Sequence, residues 1–404
     1  MSSLILVSTL VLLTIGPIKM PFPFLDDIRK IIPFPLLIGL LYVLSLAKVR
    51  VQAKNLANSS VGKTLLLFTL LIIISSTINP PADGFKSLFS YLFGILAFFI
   101  GFCLLSAVPN PKKLLAASLI ASVIVALFAS VYSLLVLIGG IKFINLSHAF
   151  IIDKIYQYQL YDYNRGRVYL LSSIDLLVPF AAIAFITAKD KLYRRFFLIN
   201  LFLNFMGLFL SNYRAKTASG IIGVVSLFFL KRATKKVLLA VIIIPLIISI
   251  IVLPTNFLER ASLRKPEHRD TISGRIYTSF KAIDIGLQNF MFGIGPGNFI
   301  NYTSWVWTTN DTRVSISYEN PHNAYVLLFA EAGIFSFSLF ILFIILMVKK
   351  DAHLIAKPEN RVIVSAFIIS GWLYLVRSAV DWDPTNFTVY FFLIEGLTYA
   401  WYKQ

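Results

Sequence analysis

KRATKKVLLAVIIIPLIISIIVLP, residues 231–254, decides what kind of chain this is. Four basic residues, Lys231, Arg232, Lys235 and Lys236, precede a 17-residue run, 237–253, that holds no charged side chain. A helix crosses a ~30 Å hydrocarbon core with about 17–25 apolar residues. Inside lipid the backbone must satisfy its own polar groups, so a run of this kind spans as a helix. The basic flank is what holds such a helix end on the cytoplasmic side.

Similar runs recur from end to end. We place spans near 3–18, 31–47, 64–78, 88–108, 114–138, 168–188, 196–211, 217–230, 237–253, 322–348, 362–378 and 387–402. The chain is 58% hydrophobic and 14% charged, against about 25% charged in soluble domains. The expected fold is therefore all-α, a polytopic membrane protein of about 12 transmembrane helices. Leu4–Ile18 lacks a basic flank and a small-residue cleavage site, and reads as an uncleaved span. The one cysteine, Cys103, lies in an apolar run, which excludes an intrachain disulfide or a thiolate cluster.

The net charge of +18 is distributed by topology. With the N-terminus inside, the cytoplasmic segments 48–63, 109–113, 189–195, 231–236, 349–361 and the tail hold 19 Lys/Arg against 3 Asp/Glu. Everything else nets +2. This is the positive-inside pattern, not the footprint of a nucleic-acid binder. Three regions follow: helices 1–9 over 1–253, a large periplasmic loop over 254–321, and helices 10–12 over 322–404. The expected setting is an inner membrane, with both termini cytoplasmic.

Within the large loop, Ile276, Phe280, Ile283, Leu287 and Phe290 recur at helical spacing, with Ser273 placed to cap the start. Such a helix lies along the membrane interface, in contact with lipid. It ends at Gly293-Ile-Gly-Pro-Gly297, a run made for tight turning. A Tyr-rich outer segment, 139–167, carries Tyr156, Tyr158, Tyr161 and Tyr163, which fit an interfacial belt or sugar stacking.

Chemistry outside the cytoplasm has no ATP or nucleotide sugar and must use substrates that arrive activated. Arg165, Arg167, Arg214 and Arg275 sit on the outer side, where the positive-inside bias disfavours them. Each alone could snorkel to lipid phosphate; four together favour a shared anion such as pyrophosphate, which suits the rigid guanidinium fork. His322, at the end of the large loop, is a side-chain type suited to act as a general base at the membrane surface; the plainer reading is a loop histidine making one structural hydrogen bond. Glu331 lies two to three turns into the following span, where a carboxylate needs a partner or a wet cavity.

These residues carry a resemblance. Pro321-His322-Asn323, followed by Glu331 and Gly333, is similar to the H-N-x9-G signature of the O-antigen ligase and O-antigen polymerase superfamily. Arg275 followed by Gly286 resembles its R-x10-G segment, and Gly293–Phe299 the stretch after it. Ser211-Asn-Tyr-Arg214-Ala-Lys-Thr217 resembles its S-R-[ST] segment, with two residues inserted. Ser336 departs from the second glycine usual in ligases, which leaves ligase against polymerase open. The resemblance implies a cofactor-free, metal-independent glycosyltransferase of lipopolysaccharide or polysaccharide biosynthesis. It would move a glycan from undecaprenyl pyrophosphate to a hydroxyl on a glycan or the lipid A core. His322 would be the catalytic base, with Arg214, Arg275, Arg167 and Arg165 on the pyrophosphate, and Asn323, Glu331 and Gly333 in support.

Other signals are weaker. Asp381-Trp-Asp383 and Asp26-Asp27 could hold a metal, as in a different class of membrane glycosyltransferase. Gly62-Lys63-Thr64 resembles the end of a phosphate-binding loop, but Ala57 stands where its first glycine belongs. The alternative function is a transporter or flippase for lipid-linked oligosaccharide. That would place ionisable groups at mid-membrane and show related halves, whereas the loops of the two halves here differ in length.

Overall fold

The structure, a computed structural model, describes residues 45–81, 86–108, 161–162, 167–168, 174–210, 214–227, 235–252, 266–301, 303–307, 313–317, 321–356, 363–379 and 386–403, with scattered positions from 37 to 127. The expected spans 3–18, 31–47 and 114–138 fall wholly or mostly outside these residues. The described helices are α1 Ala47–Asn58, α2 Ser60–Ile78, α3 Lys86–Ala107, α4 Ile174–Thr187, α5 Lys191–Leu210 and α6 Arg214–Leu227. They continue as α7 Lys235–Val252, α8 Pro266–Gln288, α9 Ala324–Ala356, α10 Ile363–Ser378 and α11 Asn386–Lys403.

Helix is the rule, with two exceptions that the all-α expectation missed. Tyr161–Asp162 (β1) pairs antiparallel with Arg167–Val168 (β2), and Thr303–Trp307 (β3) with Arg313–Ser317 (β4). Both hairpins fall in the two long outer loops of the sequence reading, where no 3.6-residue periodicity argued for helix.

Among the described residues, four helices are long and apolar enough to cross a membrane: Ser60–Ile78, Ser87–Ala107, Lys191–Phe209 and Ala324–Ala356. Shorter apolar stretches, such as Asp175–Thr187 and Val364–Ser378, pack among them. The most extensive helix pairing joins α3 and α11. Small residues one turn apart make it possible: Ala97 and Gly101 on one helix, Gly396 and Ala400 on the other. A Cβ on Gly101 would sit 2.7 Å from the Leu393 carbonyl oxygen, so the two backbones are already in contact. In lipid, close backbone packing replaces the hydrophobic drive that water supplies.

Some boundaries shift. The basic segment expected to be a loop at 48–63 is largely α1, and Ser59 caps α2 by accepting from the Gly62 N–H at 3.1 Å. The span expected at 322–348 runs on to Ala356. Lys350 and Asp351, which a hydropathy reading assigns to a cytoplasmic loop, are buried there because their charges are paired inside the bundle.

α8 begins at Pro266, so Ser273 lies within the helix instead of capping it. Proline suits the first helical turn, where its missing N–H is no loss. The helix has two apolar faces. Thr278, Ala282, Ile285 and Gly286 are buried, and α8 packs along α9. Ile276, Phe280 and Leu287 point away, with Phe280 67% exposed. Lys281 and Asp284, paired at 3.0 Å, mark the polar strip.

Candidate functional site

α9 is broken at Gly333, whose φ of 73° and ψ of −179° only glycine adopts readily. The break frees backbone groups that must find other partners. Ile334 N–H, which would have bonded the Ala330 carbonyl in an unbroken helix, donates instead to Phe290 O at 2.8 Å. The Ala330 and Glu331 carbonyls accept from Ile294 and Gly295 N–H, both at 2.9 Å. The loop after α8 is thus stitched into the helix. A Cβ on Gly333 would run into the Met291 carbonyl, so the contact requires glycine.

Glu331 completes the stitch. It is 4% exposed, and its Oε1 accepts from the Gly297 N–H at 2.9 Å. From α2, Ser75 donates to the Phe292 and Glu331 carbonyls at 2.6 and 3.0 Å, and Asn79 Nδ2 to Gly293 O at 2.9 Å. A turn of Gly293-Ile-Gly-Pro-Gly297, with φ of 69°, 89° and 79° at its glycines, is thereby held from three sides.

This fixes the geometry around His322. Asn323 caps α9: its Oδ1 accepts from Tyr325 N–H at 3.0 Å and Val326 N–H at 3.2 Å. His322, just before the cap, has φ of 53° and is the one non-glycine residue with positive φ among those described. A β-carbon there is strained by about 1–2 kcal/mol, and such strain concentrates at working sites. Ser279 Oγ, on α8, donates to the Pro321 carbonyl at 3.1 Å. Arg275 lies one turn before Ser279, on the same face. Both Arg275 and His322 are half-buried, with the Nε of one and the Nδ1 of the other shielded from solvent.

Other elements end at this same level. Arg214 is the first residue of α6, and Thr217 donates to the Leu208 carbonyl near the end of α5 at 3.2 Å. Lys216 beside it is buried. Arg377 Nη1, in the last turn of α10, donates to both carboxylate oxygens of Asp175, in the first turn of α4, at 2.8 and 2.9 Å. Tyr325 donates to the Leu375 carbonyl at 2.9 Å. Beside it lies a small apolar cleft lined by Phe68, Tyr91, Phe340, Tyr374 and Phe391 among others.

Of the residues singled out in the sequence, Glu331 and Gly333 belong to the stitched loop, Asn323 caps α9 with His322 just before it, and Arg275 lies one turn from Ser279, which bonds the Pro321 carbonyl. Arg214 starts a helix at that end of the bundle. Arg167 lies in β2, and Arg165 falls outside the described residues, as do Asp26, Asp27, Asp381 and Asp383. Among the described residues no three His, Cys, Asp or Glu side chains gather at metal-ligand spacing. Ser75, Asn79, Asp175 and Arg377 were missed. The last two had a legible signal, being ionisable residues within apolar runs.

Helices of spanning length, with a strained histidine at the start of one of them, mark this as a membrane protein. Residues 199–341 match the family model described as O-antigen ligase, so this segment is similar to that family. The matched segment runs from α5 into α9 and contains Arg214, Arg275, the Gly293–Gly297 turn, His322 and Gly333. No curated protein matches the chain.

Proposed function

We propose that this protein transfers a glycan from undecaprenyl pyrophosphate to an acceptor hydroxyl at the outer face of the bacterial inner membrane, as a ligase or as a polymerase. One observation carries the reading: the Ser279–Pro321 hydrogen bond, which joins the helix of Arg275 to the turn of His322. Base and anion-binding group then face one reaction space.

In this mechanism His322 accepts the proton of the acceptor hydroxyl. The oxygen attacks the sugar carbon bound to pyrophosphate. That carbon–oxygen bond breaks, and its electron pair departs with the lipid pyrophosphate. Arg275 and Arg214, with Arg167 and Arg165 as further clamps, offset the growing negative charge. The N-terminus of α6 at Arg214 adds its own partial positive charge. His322 finally releases its proton to water.

The exposed apolar face of α8 suits a helix resting in the interface. Activity is expected without a metal. The test is transfer from a purified lipid-linked glycan by the full chain in nanodiscs, with and without chelator. Product formation in EDTA supports the reading. Chelator-sensitive activity restored by Mg²⁺ or Mn²⁺ would move the site to Asp26, Asp27, Asp381 and Asp383.

A further inference from the structure

Some 17 residues beyond the break at Gly333 along α9, roughly 25 Å at helical rise, a second polar cluster lies inside the bundle. Lys350 Nζ reaches Asp351 Oδ1 at 2.9 Å, Glu395 Oε2 at 2.8 Å and Thr398 Oγ1 at 2.6 Å. The side chains of Lys350, Asp351 and Glu395 are 3%, 0% and 1% exposed. Nothing in the proposed reaction uses them. Two carboxylates facing one ammonium leave an excess negative charge, and an uncompensated charge buried among apolar helices is strongly disfavoured.

The donors show which carboxylate is short. Lys350 Nζ donates to Glu395 Oε2, to Thr398 Oγ1 and, at 3.7 Å, to Met347 Sδ, and its 2.9 Å approach to Asp351 Oδ1 is an ion pair without a hydrogen bond. Asp351 thus has the ammonium beside Oδ1 and accepts the Trp372 indole N–H on Oδ2 at 2.9 Å. Glu395 receives Lys350 on Oε2, whereas its buried Oε1 has no hydrogen-bond partner. Oε1 faces the bare backbone of α10 at Gly371, where a Cβ would lie 2.8 Å from it. Among the described residues the remaining neighbours bring no cation to the carboxylates. α3 meets α11 through Phe98 and Gly101, and Thr398 donates to the Glu395 backbone carbonyl at 3.1 Å. Lys403 lies over the Tyr399 and Tyr402 rings, and His353 packs edge-on against Tyr402.

We propose that Lys350, Asp351 and Glu395 form a buried proton-binding site, with the proton held on Glu395 Oε1 and Asp351 ionised. The site ties α9, whose far end carries His322, to α10 and α11. It is independent of the glycan-transfer reading.

Infrared difference spectroscopy of the full chain in nanodiscs, in H₂O and D₂O, tests this through the C=O stretch of a protonated carboxyl. The wild type should show such a band, and Glu395→Gln should remove it while leaving the melting temperature near that of the wild type. Asp351→Asn should remove the same band with Glu395 still present, because one ammonium then matches one carboxylate. No difference between wild type and Glu395→Gln in this region overturns the proposal. Persistence of the band in Asp351→Asn overturns the charge argument behind it. A Glu395→Gln chain that fails to fold also overturns it, since glutamine copies the protonated shape.

Discussion

The hydroxyl of Ser279 donates to the carbonyl of Pro321 at 3.1 Å, and so sets the distance between a helix bearing Arg275 and a turn bearing His322. Neither Ser279 nor Pro321 need touch substrate for this bond to matter. Ser279→Ala should lower kcat about tenfold or more, with donor affinity close to wild type, because small misplacements weigh heavily on the reacting geometry. Glycan transfer measured over a donor titration separates the two parameters. An unchanged kcat would mean that the two elements hold their register without the bond.

His322 is strained, and in the proposed mechanism it is also the base; two substitutions separate these properties. Both His322→Ala and His322→Gly should lower turnover about 10²–10⁴-fold while donor binding survives. The glycine variant should nonetheless be more stable than the alanine variant by about 1 kcal/mol, since glycine accepts φ of 53° without a clash. Thermal unfolding of the two in the same detergent compares them directly. Equal stability would show that the turn relaxes once the imidazole is gone.

Arg275→Lys and Arg214→Lys keep the charge and lose the planar fork. Both should lose most transfer activity at normal protein levels if pyrophosphate is held bidentately. Full activity in both would return these arginines to contacts with lipid headgroups.

Gly333→Ala attacks the stitch between α9 and the glycine turn. Its Cβ would meet the Met291 carbonyl, and φ of 73° with ψ of −179° excludes alanine. A loss of about 2 kcal/mol or more is expected, along with activity. Glu331→Gln retains an acceptor for the Gly297 N–H and should be milder than Glu331→Ala, which leaves that donor unmet at about 1–3 kcal/mol. The order of melting temperatures, wild type above Gln above Ala, is the readout.

Orientation has its own test. Reporter fusions at Asn110, Lys235 and the C-terminus should read as cytoplasmic, and those at Thr308 and Asp383 as periplasmic. A cytoplasmic Thr308 would put the site on the wrong side of the membrane for a lipid-linked donor.

How much of this was legible in the sequence depends on distance along the chain. Apolar runs announce helices because lipid leaves the backbone no other choice, and α2, α3, α7 and α11 lie where such runs predict. His322 with Asn323, and Arg275 with Gly286, stood out as spaced motifs. What they do locally was not readable: Asn323 is a helix cap, and Gly286 lets the Phe329 ring approach α8. Hydropathy could not reveal the break at Gly333, because the donors that heal it come from 294 and 295. The Asp175–Arg377 pair was hidden for the same reason, with its halves 202 residues apart.

The tight seam between α3 and α11 also bears on how the molecule is made. Gly101 precedes Gly396 by 295 residues. At roughly 5–20 residues per second, the ribosome delivers the second helix some 15–60 s after the first. For that interval the notch on α3 has no partner within its own chain. Insertion machinery or lipid must shelter it until α11 arrives, so assembly finishes by a late docking event and not by steady growth. A bulky residue at Gly101 or Gly396 would leave every span insertable and stall the protein at that last step, as a membrane-integrated but protease-sensitive species.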